Sequence, residues 1–192
     1  MHGDAADGIS ADLWVALAIV LCCILLSAFF AGAETALTAA SRTHMYALER
    51  NGDRRAAAVN LLLRRRPRLI GAMLLGNTIV NIGASAFTTN ILVSLIGPAG
   101  VFYATILMTL LLLIFAEVLP KTVAIGYSDS FALLAVRLVS FFVWLFGPIL
   151  IGVDAIVRAI MWLVGLKVGG HTSLLSGREE LKSAVDLLHR EG

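Results

Sequence analysis

Few side chains in this chain could do chemistry, and they sit where polar groups are costly. The stretch FAEVLPKT, residues 115–122, puts Glu117 and Pro120 inside a long apolar run. GNTIVN, residues 76–81, puts Asn77 and Asn81 inside another, and Ser27 lies in a third. An ionisable group within a membrane span marks a functional site by default. Asn77 and Asn81 are four apart and so share one helix face. Pro120 has no N–H, so in an α-helix the carbonyl of Ala116 loses its usual partner, right beside the Glu117 carboxylate. The oxygen set is then one hydroxyl, two amides, one carbonyl and one carboxylate, with no thiolate and no imidazole. Such donors suit a hard cation, Mg²⁺, Na⁺ or Ca²⁺, and not zinc or copper. With a single carboxylate, the site stays positive around a divalent ion, which favours modest affinity and release. Taken singly, each residue could serve a plainer purpose: Ser27 as packing, the asparagines as interhelical glue, Glu117 as a partner for Lys121 one turn on. Glu34 and Lys121, near the inner ends of their spans, either border an ion pathway or are solvated.

These residues need elements that bring them together. The chain has 192 residues, 59% hydrophobic and 15% charged, against about 25% charged in ordinary soluble domains. That balance excludes a soluble globular domain. Cys22 and Cys23 are adjacent within an apolar run, which gives no disulfide framework. Residues 13–33 carry no charge, enough for the roughly 20 apolar residues a span needs. Residues 69–116 are again charge-free. This run is too long for one span and breaks at IGPAG, 96–100, where Gly97-Pro98 is a turn signal. A second span is expected at 69–95 and a third at 99–125.

Between the first two spans lie Arg42, Arg50, Arg54, Arg55, Arg64, Arg65, Arg66 and Arg68, against only Glu49 and Asp53. The NGD turn divides this section into two short surface helices whose arginines meet anionic headgroups. The positive-inside rule places them in the cytoplasm, with the N-terminus outside and the C-terminus inside. Nothing else in the chain supports nucleic-acid binding. On this topology Ser27 lies ~20 Å from the outer end of its helix, Asn77 and Asn81 ~12 and ~18 Å from the inner side, and Glu117 ~25 Å from the outer end. Three helices thus bring oxygen ligands to similar depth.

Further on, Arg137, Asp154 and Arg158 leave a short charge-free run, and FGPIL at 146–150 interrupts it. Two helices lying along the inner face are expected there. The tail, GREELKSAVDLLHREG, has the spacing of a soluble amphipathic helix. The expected organisation is an all-α membrane protein. It has an extracytoplasmic N-terminus at 1–12 and a three-span transmembrane core at 13–126, with cytoplasmic surface helices at about 41–68. A juxtamembrane helical belt at 127–168 and a cytoplasmic linker helix at 169–192 complete it.

In that order SAFFAGAETAL, GNTIVN and FAEVLPKT resemble the transmembrane domain of the CorC/CNNM (cyclin M) proteins, over about residues 10–190. The resemblance implies a non-enzymatic Mg²⁺ transporter of the cell membrane, a homodimer that exports Mg²⁺ in exchange for Na⁺. It also implies a tandem CBS nucleotide-binding module after the linker, so ATP enters only through a part not in this chain. The ligands it implies are Ser27, Asn77, Asn81, the Ala116 carbonyl and Glu117. The family often has Gly at Ala116 and a second Ser at Ala31. A carbonyl ligand survives the first change if the backbone keeps its dihedrals. Loss of the hydroxyl at Ala31 weakens any Na⁺ route there. The alternative is a membrane anchor and dimerisation scaffold whose cytoplasmic module regulates another transporter.

Overall fold

The computed structural model of the chain describes residues 3–163, with side chains from residue 14. Every element among them is helical: α1 (Gly3–Ala39), α2 (Arg42–Arg50), α3 (Arg54–Arg64), α4 (Arg66–Ile96), α5 (Gly100–Leu111), α6 (Leu119–Gly126) and α7 (Ser128–Leu163). A 3₁₀ turn, Gly97–Ala99, joins α4 to α5, and a π-helical segment, Leu112–Val118, joins α5 to α6. The expected linker helix over 169–192 lies outside the described residues.

The local signals explain the boundaries. Ser41 caps α2 by accepting from the His44 N–H, and Asn51-Gly52 ends it, with Gly52 at φ 92°. Asp53 caps α3 by accepting from the Arg55 N–H at 2.7 Å. Pro67 stands in the first turn of α4, where its missing N–H has no intrahelical partner to lose. The two short helices expected in the arginine-rich section are therefore present. The turn expected at 96–100 is present too: Gly97 has φ 72°. A Cβ at Gly100 would lie 2.5 Å from the Leu92 carbonyl and 2.6 Å from the Val93 nitrogen. Only glycine lets α5 start that close to the end of α4.

Three helical stretches are long and apolar enough to cross a membrane, Trp14–Ala39, Arg66–Gly126 and Ser128–Leu163. The middle one folds back at Gly97, so its arms α4 and α5–α6 form a hairpin. Helix α1 packs against α4, the π segment and α6. Ala16 to Val20 share a cleft with Thr88 to Leu92, while Ser27 bonds Asn77 and Asn81, so α1 and α4 run antiparallel. Large apolar side chains such as Leu21, Leu25, Ile82, Phe102 and Leu110 point outward, as a lipid-facing surface requires. The buried core gathers Phe30, Leu37, Met45, Val59, Leu69, Met73, Val136 and Val139. It therefore joins α1 to α2, α3, the start of α4 and the first half of α7.

One expectation fails. The FGPIL stretch does not separate two helices; a single α7 runs through it with Pro148 inside. A proline removes one N–H and presses on the carbonyl four residues back. The residue before a proline usually leaves the helical region because its Cβ meets the ring. Here that residue is Gly147, which has no Cβ. Among the described residues, those up to Leu150 form one compact unit and those from Ile151 belong to a second. In the second, residues 151–160 are all exposed. At the start of α7 the Asp129 carboxylate accepts from the Ser41 N–H at 2.9 Å and pairs with His44 Nδ1 at 2.6 Å.

The hairpin turn yields a direct test. Gly100→Ala is expected to destabilise the detergent-solubilised protein by about 1–3 kcal/mol, since backbone and not a flexible side chain blocks the new methyl. Gly83→Ala, where a Cβ would meet nothing within 4 Å, is expected to leave the unfolding midpoint unchanged. Equal midpoints for the two variants would contradict this packing.

Candidate functional site

Hydroxyls within this protein's helices have a default partner. Those of Thr35, Thr38, Thr89, Ser94, Thr105, Thr122 and Ser140 each donate to the carbonyl four residues back. Ser27 does not. Fully buried, it turns across to α4, where its Oγ lies 2.5 Å from Asn77 Oδ1 and 2.6 Å from Asn81 Oδ1. A hydroxyl has one proton and can donate to only one of them. As the amides are oriented, the second contact sets oxygen against oxygen; turned over, either amide would offer the hydroxyl an N–H instead. The amide of Asn81 offers little relief, because its Nδ2 stands 3.5 Å from Asn77 Oδ1.

Side-chain-free positions make this approach possible. A Cβ at Gly76 would lie 2.7 Å from Phe30 Cζ, so the absent methyl is what admits the ring. Phe30 is buried and meets Phe142 edge-on, with centroids 4.8 Å apart. This wedge sits beside Asn77 on α4 and three residues beyond Ser27 on α1. Sequence reading missed Phe30 and Gly76 as positioning residues; a glycine directly before an asparagine within a span was the available signal.

The third element is the π segment. The Leu119 N–H donates to the Ile114 carbonyl, five residues back. Pro120, which cannot donate, follows at once. In a five-residue register the donor that Pro120 lacks falls opposite Phe115, one residue earlier than the α-helical count that singled out Ala116. Ala116 itself is fully buried. Such wide turns are rare and frequent at functional sites.

The descending arm α5–α6 runs parallel to α1. Val20 and Leu111 line one cleft. Lower down, a Cβ at Gly32 would lie 3.5 Å from the Pro120 carbonyl oxygen and 3.6 Å from its ring. Counting from either landmark at ~1.5 Å per residue, Glu117 comes level with Ser27 to within ~3 Å.

Glu117 is half-buried. Among the described residues its carboxylate has no hydrogen bond and no ion pair, and the plainer alternative, pairing with Lys121, is absent; the ion pair present is His44–Asp129. Glu34 is half-buried on α1, two turns below Ser27, and Lys121 is half-buried one turn below Glu117. No cluster of three or more His, Cys, Asp or Glu side chains occurs among the described residues. The donors on offer are hydroxyl, amide and carboxylate oxygens. Thr88, which sequence reading did not single out, lies farther up the α1-facing side of α4, and its buried Oγ1 has no partner.

Residues 17–192 match the cyclin M transmembrane N-terminal domain family. The chain is 38% identical over 160 residues to the UPF0053 inner membrane protein YfjD of Escherichia coli, covering 83% of this chain and 37% of that protein. It is 34% identical over 167 residues to a UPF0053 protein of Haemophilus influenzae, covering 87% and 40%. It is also 28% identical over 165 residues to the polyamine export protein of Haemophilus influenzae, covering 79% and 38%. The chain spans about two fifths of the length of these curated relatives. It belongs to the cyclin M family and is a multi-pass membrane protein.

The oxygen cluster predicts its own coupling. In a double-mutant cycle of Ser27→Ala and Asn77→Ala, followed by reversible unfolding in micelles, the interaction energy is expected at about 0.6 kcal/mol and no more than about 1.7. Strict additivity of the two changes would contradict the Ser27–Asn77 contact.

Proposed function

We propose that this member of the cyclin M family is the membrane domain of a Mg²⁺ transporter, with Ser27, Asn77, Asn81 and Glu117 as side-chain ligands of the transported ion and a backbone carbonyl of the π segment, at Phe115 or Ala116, beside them. The observation that carries the proposal is the convergence of one buried hydroxyl and two amide groups from two helices, level with an uncommitted carboxylate. A cation placed among them gains charge compensation from Glu117.

The donors of the cluster bear on which cation. Around Mg²⁺, with ligands at 2.0–2.1 Å, neighbouring oxygens stand about 2.9 Å apart; around Ca²⁺ the figure is about 3.4 Å. An ammonium group hydrogen-bonded to two oxygens holds them more than about 4 Å apart. The pairs at 2.5 and 2.6 Å are at O–H···O hydrogen-bond length, so the choice of Mg²⁺ rests on the hard-oxygen donor set rather than on this spacing. Complete dehydration of Mg²⁺ is expensive, so several protein oxygens must converge to offset it. The ion enters from the cytoplasmic side past Glu34 and Lys121, sheds water, is held at the cluster, and leaves when the outer side opens. Export coupled to Na⁺, a homodimer, and nucleotide control through a cytoplasmic CBS module complete this reading. So does a topology with the N-terminus outside and the C-terminus inside.

A second cargo has one observation in its favour: a relative bears the name polyamine export protein. A polyamine carries ammonium groups, which the Glu117 carboxylate would also accept, but a buried group of several oxygens with one carboxylate suits a small hard cation better.

Two experiments check the proposal. Glu117→Gln and Asn77→Ala, each purified as a folded protein, are expected to lose Mg²⁺ binding by isothermal titration and Mg²⁺ flux in liposomes under a Na⁺ gradient. Wild-type affinity in either would refute the ligand assignment. Flux absent from the wild-type chain, or spermidine flux in place of Mg²⁺ flux, would favour the scaffold or the polyamine reading. Pro120→Ala restores a backbone donor and is expected to hold or raise the unfolding midpoint while weakening Mg²⁺ roughly tenfold or more, a loss of ~1.4 kcal/mol. Unchanged affinity would separate the π segment from the site.

A further inference from the structure

The arginine-rich section has a feature that the transport site does not use. Where α3 ends and α4 begins, these helices and α7 enclose a groove of about 340 Å³. Arg65 and Arg68 stand at its rim, and Leu61, Leu62, Val143 and Trp144 form its walls. Trp144 is 75% exposed and Leu61 57%, a poor surface to leave in water. Neither arginine has an ion-pair partner among the described residues. Arg65 is the N-cap of α4, no side chain caps that end, and no acidic residue lies in its first turn. The positive end of the α4 dipole thus adds to two uncompensated guanidinium groups.

We propose that this groove is a binding site for one anionic glycerophospholipid. Its phosphate is held by Arg65 and Arg68, and an acyl chain lies along Leu61, Val143 and Trp144. Basic pockets between membrane helices bind anionic headgroups in this manner. A guanidinium pair matches phosphate through forked donors, and the indole suits the boundary between headgroup and hydrocarbon. The apolar walls choose between the two sources of phosphate: a free ion would use the rim alone and leave the groove wet, whereas a lipid fills both parts. Arg54 and Arg55 carry the same charge and do not line the groove, so charge alone and a built site can be told apart. This inference is independent of which cargo is transported.

The test uses the whole chain in nanodiscs of phosphatidylcholine with a minor fraction of phosphatidylglycerol, followed by release and native mass spectrometry. Phosphatidylglycerol is expected to be retained over phosphatidylcholine, at one molecule per chain. Arg65→Gln with Arg68→Gln is expected to reduce that preference roughly 30-fold, and Arg54→Gln with Arg55→Gln to leave it in place. Val143→Trp, which fills the groove and keeps every charge, is expected to expel the lipid, so a double variant that fails to fold does not end the test. Equal retention of both lipids, equal loss in both arginine pairs, retention in Val143→Trp, or displacement of the lipid by millimolar inorganic phosphate would each overturn the proposal.

Discussion

A polar atom buried in an apolar helix bundle must find a partner, because neither lipid nor water will supply one. In this protein the Ser27 hydroxyl breaks that rule by excess. It gives up the back-bond that its neighbours make and faces two amide oxygens that compete for its one proton. A hydroxyl turned toward α1's own carbonyls would be cheaper. Under the proposed function, a cation among those oxygens would supply the positive charge that one hydroxyl proton cannot give to both.

Much of the surrounding structure follows from holding three helices close enough for this contact. Gly76 admits the Phe30 ring beside Asn77, Gly32 admits Pro120 against α1, and Gly100 lets α5 begin against the backbone of α4. Small residues at helix crossings are the usual means of close approach in membranes, where the solvent gives helices no apolar reason to associate. Pro120 has a second consequence. Its missing donor accompanies a wide turn over Leu112–Val118, which presents Glu117 from a backbone that is not fully hydrogen-bonded. The carboxylate, the proline and the wide turn are thus one device, and Gly32 fixes its height against Ser27.

The sequence made some of this visible. Charge-free runs separated the spans, because a charge at the bilayer centre is rare. Glycine, proline and NGD marked the turns, because few other residues adopt those backbones. Similar depth for Ser27, Asn77, Asn81 and Glu117 was the expectation from counting residues at a fixed rise. What failed was anything decided by tertiary surroundings. FGPIL read as a break, yet Gly147 spares the clash that normally ends a helix before proline, and α7 continues through Pro148. The α-helical count assigned the open carbonyl at Pro120 to Ala116, whereas a five-residue register shifts the gap toward Phe115. Phe30 looked like one more apolar residue, and only its fit to Gly76 reveals it as the wedge beside Asn77. Family membership names the domain; the proposed cargo rests on the chemistry of the oxygen donors.

The most direct measurement is a structure of the protein with Mn²⁺, an anomalous scatterer that stands in for Mg²⁺. Expected is an anomalous peak among Ser27 Oγ, Asn77 Oδ1, Asn81 Oδ1 and Glu117, with each oxygen within ~2.3 Å of the ion. A peak elsewhere, or Glu117 turned to lipid or bound to Lys121 with the Ser27 cluster empty, would contradict the idea that these oxygens gather to hold a bare divalent cation.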